Sequence, residues 1–292
     1  MQELAFFKLL ATVAVPRNMP EIVERVKASL SGSDIPILEL EKKTYEKELI
    51  QAIMNYKVNL GLIMTFGYII PASVYELPEK GFFNVHPGPL PYYRGPDPIF
   101  QQIKNKEPRA GVCIHTVEKK PDTGPVVLQQ MIKLEKNDTH GILLSNLSQL
   151  AATMVRILVK LASYDLKIPS KPQDDSLAVY YTKQQANDIT INWQEMDATT
   201  IIALINACNP WNKGAVTKFN NRIIRLVEAE KLTGGSDTGK LPGTVLSISG
   251  NSFKVSTLGG ESIRVQIIYT DEGFLSASRL ELAGLTVGCS FT

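Results

Sequence analysis

Cysteine and histidine are scarce in this chain, with three of each in 292 residues. Cys113, Cys208 and Cys289 stand far apart and form no C-x-x-C pair. That pattern argues against a disulfide framework and a zinc site, and it suits a reducing cytoplasm. Each cysteine reads as a small buried apolar side chain. No run approaches the ~20 apolar residues that span a bilayer, so no membrane partner is expected. The opening MQELAFFKLLATVAVP lacks a basic region and a small-residue cleavage signal, so it reads as structure and not as a signal peptide. Charge of one sign is also missing: 31 Lys and Arg against 29 Asp and Glu leave a net +2. That balance neither demands nor excludes a nucleic-acid partner. There is no internal repeat and no cluster of metal-ligating residues, so no metal is expected.

What is present is ample apolar residue, 44% of the chain, enough to bury a core without cross-links. The first half alternates short apolar runs with helical patterns, which predicts an α/β fold. ATVAV (11–15), IPILEL (35–40) and GFFNVH (81–86) read as strands. VNLGLIMTF (58–66) is nearly all apolar, as a strand buried on both faces would be. Pro20 opens a helix over PEIVERVKASL, and Thr44 is placed to cap a second one carrying Leu49, Ile50, Ile53 and Met54. A long helix is expected from His140 to Ser163, with Leu144, Leu147, Ala151, Met154, Leu158 and Leu161 on its apolar face.

Residues 1–165 are thus expected to form a Rossmann-like, mostly parallel sheet with helices on both faces. Residues 166–186 lose periodicity and read as a linker. From 187 to 292 a helical segment precedes evenly spaced short strands, GAVTKF, NRIIRLVEA, GTVLSIS, SFKVST, SIRVQIIY and LTVGCSF. These predict a small OB-like β-barrel, with GGSDTGK (234–240) as a surface loop.

His86 follows Asn84 by two residues at the end of an apolar strand, just before the turn-rich PGPLPYYRGPDP (87–98). Carboxyl ends of strands in open α/β sheets are where ligands bind, and strand alternation aims both side chains to one side. An amide donor beside an imidazole can stabilise an oxyanion and handle a proton. An N-x-H pair is nonetheless common, and a lone histidine at a strand end is more often structural.

Three motifs in register change that reading: Asn84-Val85-His86, then Pro89-Leu90-Pro91-Tyr92-Tyr93-Arg94-Gly95, then Asp122-Thr123-Gly124. The chain resembles the 10-formyltetrahydrofolate-dependent formyltransferases, in the branch that carries a C-terminal barrel. INW (191–193), NACNPWNKGAVT (206–217) and LPGTV (241–245) extend the resemblance over most of the chain. The resemblance implies a folate co-substrate, an amine acceptor and a cytoplasmic enzyme. It implies that Asn84 binds the formyl oxygen, that His86 exchanges a proton beside it, and that Asp122 pairs with His86. It also implies a folate cleft bordered by Phe66, Gly67, Tyr68, Ile69, Ile70 and Pro71, by Leu90, Pro91, Arg94 and Gly95, and by Val117, Glu118, Lys119, Lys120 and Pro121.

The chain departs from this pattern in three places. MQELAFFKLL stands where the family has its first helix, so a central strand is expected to be missing. The basic insertion with which the tRNA-modifying members hold tRNA is reduced to VPRNMPE (15–21), with one arginine. That disfavours tRNA and favours another amine, such as an amino-sugar nucleotide, a hydroxylated ornithine or a carrier-bound amino acid. PGPLP replaces S-L-L-P, RGPDPIF replaces R-G-A-A-P-I, and Pro121 has no N–H to donate. Hydrolysis of the formyl-folate and a non-catalytic RNA- or protein-binding role are the competing readings. Nothing in the sequence bears on oligomeric state.

Overall fold

The computed structural model describes residues 1–232 and 239–292, so the loop expected at 234–240 lies largely outside the described residues. The chain forms two compact units. One comprises residues 1–94, 111–130 and 149–179; the other comprises 95–110, 131–148 and 180–292.

The first unit opens with helix α1 (Gln2–Phe6), then alternates strand and helix: β1 (Val13–Pro16), α2 (Pro20–Ser29), β2 (Ile37–Leu40), α3 (Tyr45–Asn55), β3 (Gly61–Met64), α4 (Ala72–Tyr75) and β4 (Phe82–His86). β1 runs parallel to β2, and β3 parallel to β4. β4 then pairs antiparallel with β5 (Arg109–Thr116), whose other neighbour is β6 (Val126–Lys133). The fold is the expected α/β type, but the sheet is divided. β1-β2 and β3-β4-β5-β6 are separate, and a cavity of about 440 Å³ lined by Ala14, Leu38, Ile53 and Leu62 reaches from β1 and β2 to β3. The expectation for 58–66 is corrected here: β3 covers four residues, has one strand neighbour, and leaves Met64 49% exposed.

Helix packing follows the apolar periodicity with three adjustments. α2 buries Val23 and Val26 with Val15 and Leu30, while α3 buries Leu49 and Ile53 against Leu40, Ile70 and Val74. Met54 lies outside that stripe and is exposed. Thr44 does not cap α3; its hydroxyl donates to the Glu48 carboxylate instead. In α6 (His140–Ser163) the buried stripe is Leu143, Leu147, Ala151, Met154 and Leu158, steps of four, four, three and four, and Leu144 falls one position off it and is exposed. By length and composition α6 could cross a membrane, but that stripe is core.

In the second unit α5 (Pro98–Lys104) packs on α7 (Ala198–Ala207), and Phe100 meets Trp211 edge-on at 6.0 Å. Strands β7 (Ala215–Phe219), β8 (Arg222–Lys231), β9 (Val245–Ser249), β10 (Ser252–Ser256) and β11 (Ser262–Thr270) form a sheet in the order β7-β8-β11-β10-β9, with β12 (Gly273–Ser276) on β11. LTVGCSF, expected as the last strand, is irregular, yet it closes that sheet. Val245 N–H donates to Cys289 O and Phe291 N–H to Gly243 O, while Lys218 and Thr292 exchange both backbone bonds. Residues 289–292 therefore lace β9 to β7, which makes the unit a barrel. Phe291 fills it, its ring 5.8 Å from Trp193, 5.4 Å from Phe253 and 5.6 Å from Phe219.

Candidate active site

β4 buries Phe83 and Val85 on one side, so alternation turns Asn84 and His86 to the other. The antiparallel register sets His115 of β5 opposite Asn84, and Cys113 opposite His86. Residues directly opposite share a face, so three polar side chains converge. The fourth comes from the turn after β5. Asp122 has φ +59, a left-handed conformation, and a Cβ on Gly124 would sit 1.9 Å from Thr116 O. The Asp-Thr-Gly sequence therefore lets the turn press against β5 and return Asp122 over the face.

The Asp122 carboxylate oxygen Oδ1 lies 3.5 Å from His86 Nδ1, 3.4 Å from His115 Nε2 and 3.5 Å from Asn84 Nδ2. Carbonyl partners assign the tautomers. His86 Nε2 is 2.6 Å from Tyr93 O and must donate to it, leaving Nδ1 to face Asp122. His115 Nδ1 is 2.8 Å from Thr116 O and likewise donates. With Nδ1 as that donor, His115 Nε2 can accept from Asn84 Nδ2–H at 3.1 Å, an arrangement that turns the carboxamide's donor side toward Asp122. Burial pushes the His86 imidazolium below the ordinary histidine value of 6.5, with the Asp122 charge and the Tyr93 carbonyl opposing. Burial pushes the Cys113 thiol up, so it is inert.

The structure brings Asn84, His86 and Asp122 together. His115 is an addition that pairing register alone reveals. The residues expected at the folate lie on three segments. Phe66 to Pro71 follow β3; Tyr68 packs on Tyr45 and Phe66 with ring centres 5.0 and 5.5 Å apart, Ile69 is exposed, and Ile70 is buried. Leu90 and Pro91 follow β4, where Leu90 is buried. Arg94 is 2% exposed and donates to Gln173 and Asp175. Gly95 belongs to the second unit, where φ +99 and a would-be Cβ 2.2 Å from Tyr181 O demand glycine. Val117 N–H donates to Phe82 O, and Glu118, Lys119, Lys120 and Pro121 are exposed on the turn that leads to Asp122.

Comparison with known proteins places the chain in a family. The formyl transferase profile matches residues 13–158, and the profile of the formyl transferase C-terminal domain matches 183–275. The chain belongs to the formyl transferase family. Methionyl-tRNA formyltransferase of Staphylococcus aureus strain MW2 is 31% identical over 243 residues, 82% of this chain and 76% of that protein. HypX from Aquifex aeolicus, solved with tetrahydrofolic acid, shares the fold with a TM-score of 0.66 at 18% identity. The match covers 92% of this chain and 46% of HypX, so the chain spans about half of that protein's length. An N-formyltransferase from Helicobacter canadensis, solved with folinic acid and dTDP-3-aminofucose, aligns with a TM-score of 0.61 at 17% identity, over 87% of this chain and 97% of that one. As a family member this chain is a formyl transferase.

Proposed function

We propose that this formyltransferase transfers the formyl group of 10-formyltetrahydrofolate to a primary amine, with residues 1–165 supplying the chemistry and 187–292 an accessory barrel. The observation that carries the proposal is the convergence of Asn84, His86, His115 and Asp122 within 3.5 Å on one face of β4 and β5. The amine attacks the formyl carbon, and the formyl oxygen takes up negative charge. Asn84 Nδ2–H, oriented by His115, donates to that oxygen, a fixed dipole aimed where charge develops. Asp122 accepts the proton that the amine loses, and His86 Nδ1, facing the same carboxylate oxygen, shares it. The bond from the formyl carbon to N10 then breaks, and the proton ends on N10. No covalent intermediate with the protein is formed; positioning and charge stabilisation carry the rate. Folate lies along Phe66–Pro71 and the Leu90–Arg94 loop in this reading, and the cytoplasm, where free cysteines stay reduced, is its compartment.

Methionyl-tRNA is the leading acceptor, supported by 31% identity that runs through 82% of the chain. An amine on a smaller carrier, such as an amino-sugar nucleotide, is the second reading. One specific observation favours it: Arg17, the single cation of the 15–21 segment, is paired with Glu41 and lies 3.9 Å from Glu39. One exposed arginine, already shared with carboxylates, offers little of the multiple phosphate contact that binding a nucleic acid draws on. The test is formyl transfer from 10-formyltetrahydrofolate to a panel of methionyl-tRNA, amino-sugar nucleotides, hydroxyornithine and carrier-bound amino acids, with Asn84→Ala, His86→Ala and Asp122→Ala alongside. Turnover of one acceptor, abolished by the substitutions, names the substrate. Formate release without any acceptor, at the same rate, replaces transfer by hydrolysis. No turnover and no folate binding leaves a non-catalytic binding role.

A further inference from the structure

Residues 171–179 connect the end of α6 toward the second unit, and no chemistry is expected of them from their composition. In the fold they are tied to the first unit. Lys171 and Val126 exchange both backbone bonds at 2.8 Å, Arg94 N–H donates to Val179 O at 3.0 Å, and Val179 N–H donates to Pro91 O at 3.1 Å. Between these anchors the carboxamide of Gln173 has all four of its hydrogen-bonding places filled. Its Nε2 donates to Asp122 O at 2.9 Å and to Gly124 O at 2.7 Å. Its Oε1 accepts from Arg94 Nε at 3.1 Å and Nη2 at 2.9 Å. An arginine can only donate and a backbone carbonyl can only accept, so the amide has one orientation here. Arg94 is itself buried, and Nη2 also reaches Asp175 Oδ1 at 2.7 Å.

We propose that Gln173 is a positioning residue for formyl transfer: relayed from Arg94, it clamps the main chain on both sides of Thr123 and so fixes the Asp122 carboxylate between His86 and His115. The turn needs such a clamp, because Asp122 sits at φ +59, a conformation that a non-glycine residue holds only when its surroundings impose it. This inference rests on the proposed roles of His86 and Asp122.

The discriminating variant is Gln173→Glu, which matches the native side chain in size. A carboxylate keeps and strengthens the pairing with Arg94, so the segment stays docked, but it presents oxygens to the two carbonyls of the Asp122 turn. Gln173→Met removes both sets of bonds. With the acceptor that the panel turns over, both variants are expected to lower kcat by roughly 10- to 100-fold, the cost of a misplaced catalytic group. The KM for 10-formyltetrahydrofolate is expected to stay within about twofold, as when an interaction serves the transition state alone. Combined with Asp122→Asn, Gln173→Glu is expected to add no further loss, since residues acting through one another are non-additive. A Gln173→Glu enzyme with native kcat, or a double variant whose losses multiply, overturns the inference and leaves Gln173 a tie for the chain. Native kcat for Gln173→Glu with inactive His86→Ala and Asp122→Ala refutes the clamp alone. Native activity in all of these variants removes the site reading and the clamp with it.

Discussion

The second unit holds its shape with aromatic rings: Phe291 is 3% exposed and stacks between Trp193 and Phe253. The first unit holds its reactive face with hydrogen bonds, none of which buries much apolar surface. His86 is fixed by a carbonyl, His115 by another, and Asp122 by its backbone. Apolar packing is forgiving of small shifts in angle, whereas a proton donor must meet its acceptor within tenths of an ångström. The barrel is therefore expected to contribute stability, and the divided sheet, on the proposed reading, the chemistry. The two should come apart under substitution.

The largest effect is expected from the polar face. His86→Ala or Asp122→Ala removes a proton-transfer group and should lower kcat by about 10²- to 10⁴-fold. Asn84→Ala removes one oxyanion donor and should lower kcat by about 10²- to 10³-fold. Urea denaturation of Asn84→Ala and Asp122→Ala should stay near wild type, whereas His86→Ala, which strips the buried Tyr93 carbonyl of its donor, should cost about 1–3 kcal/mol. The comparison breaks if the losses in rate are matched by equal losses in stability. Phe291→Ala is its counterpart in the barrel. Truncating a buried phenylalanine costs about 3–5 kcal/mol, read as a lower urea midpoint, while the folded fraction keeps the wild-type kcat. A collapse of kcat in the folded fraction would make the barrel part of the catalytic apparatus.

His115→Phe sharpens the division, because it keeps the bulk on β5 and removes the lone pair that orients Asn84. The expected loss in kcat is roughly tenfold, the scale of one misdirected donor whose partner remains. His115→Gln, whose carbonyl oxygen can accept from Asn84 Nδ2, should recover part of it. Equal rates for the Phe and Gln variants would show that His115 merely fills space.

His115 shows where reading the sequence stops. Asn84, His86 and Asp122 were legible because short motifs carry them in a fixed order. His115 lies in a run, GVCIHT, that looks like plain strand, and only the pairing of β4 with β5 sets it opposite Asn84. A register is a property of two segments, and neither spells it out. Gln173 was hidden for a related reason: its segment binds through main chain and one carboxamide, which leaves no apolar period to detect. Leu143 replaced Leu144 on α6 because one residue, or about 100° of turn, separates two equally apolar choices. The closing of the barrel by residues 289–292 was foreshadowed by LTVGCSF, although those residues bond to β9 and β7 without becoming a regular strand.

The smallest effect concerns acid, and it sets a buried histidine of the first unit, His86, against a half-buried one of the second, His140. Burial pushes both His86 and His140 below the ordinary 6.5, with Asp122 opposing the shift at His86 and Asp97 opposing it at His140. A histidine whose folded value is depressed binds fewer protons than the unfolded chain does between the two values. Stability therefore rises with pH through that window, and it is lost as pH falls below about 6.5. Each such group contributes a slope of at most about 1.4 kcal/mol per pH unit. Urea midpoints between pH 7 and pH 5 should fall less steeply in His140→Gln than in wild type, with kcat at pH 7 unchanged. His86→Gln should flatten the same curve but with kcat lost. The kcat/KM of wild type should fall on the acid side as His86 takes a proton, and His140→Gln should leave that limb where it is. If His140→Gln moved the acid limb of kcat/KM, the separation of chemistry in one unit from packing in the other would fail at its most sensitive point.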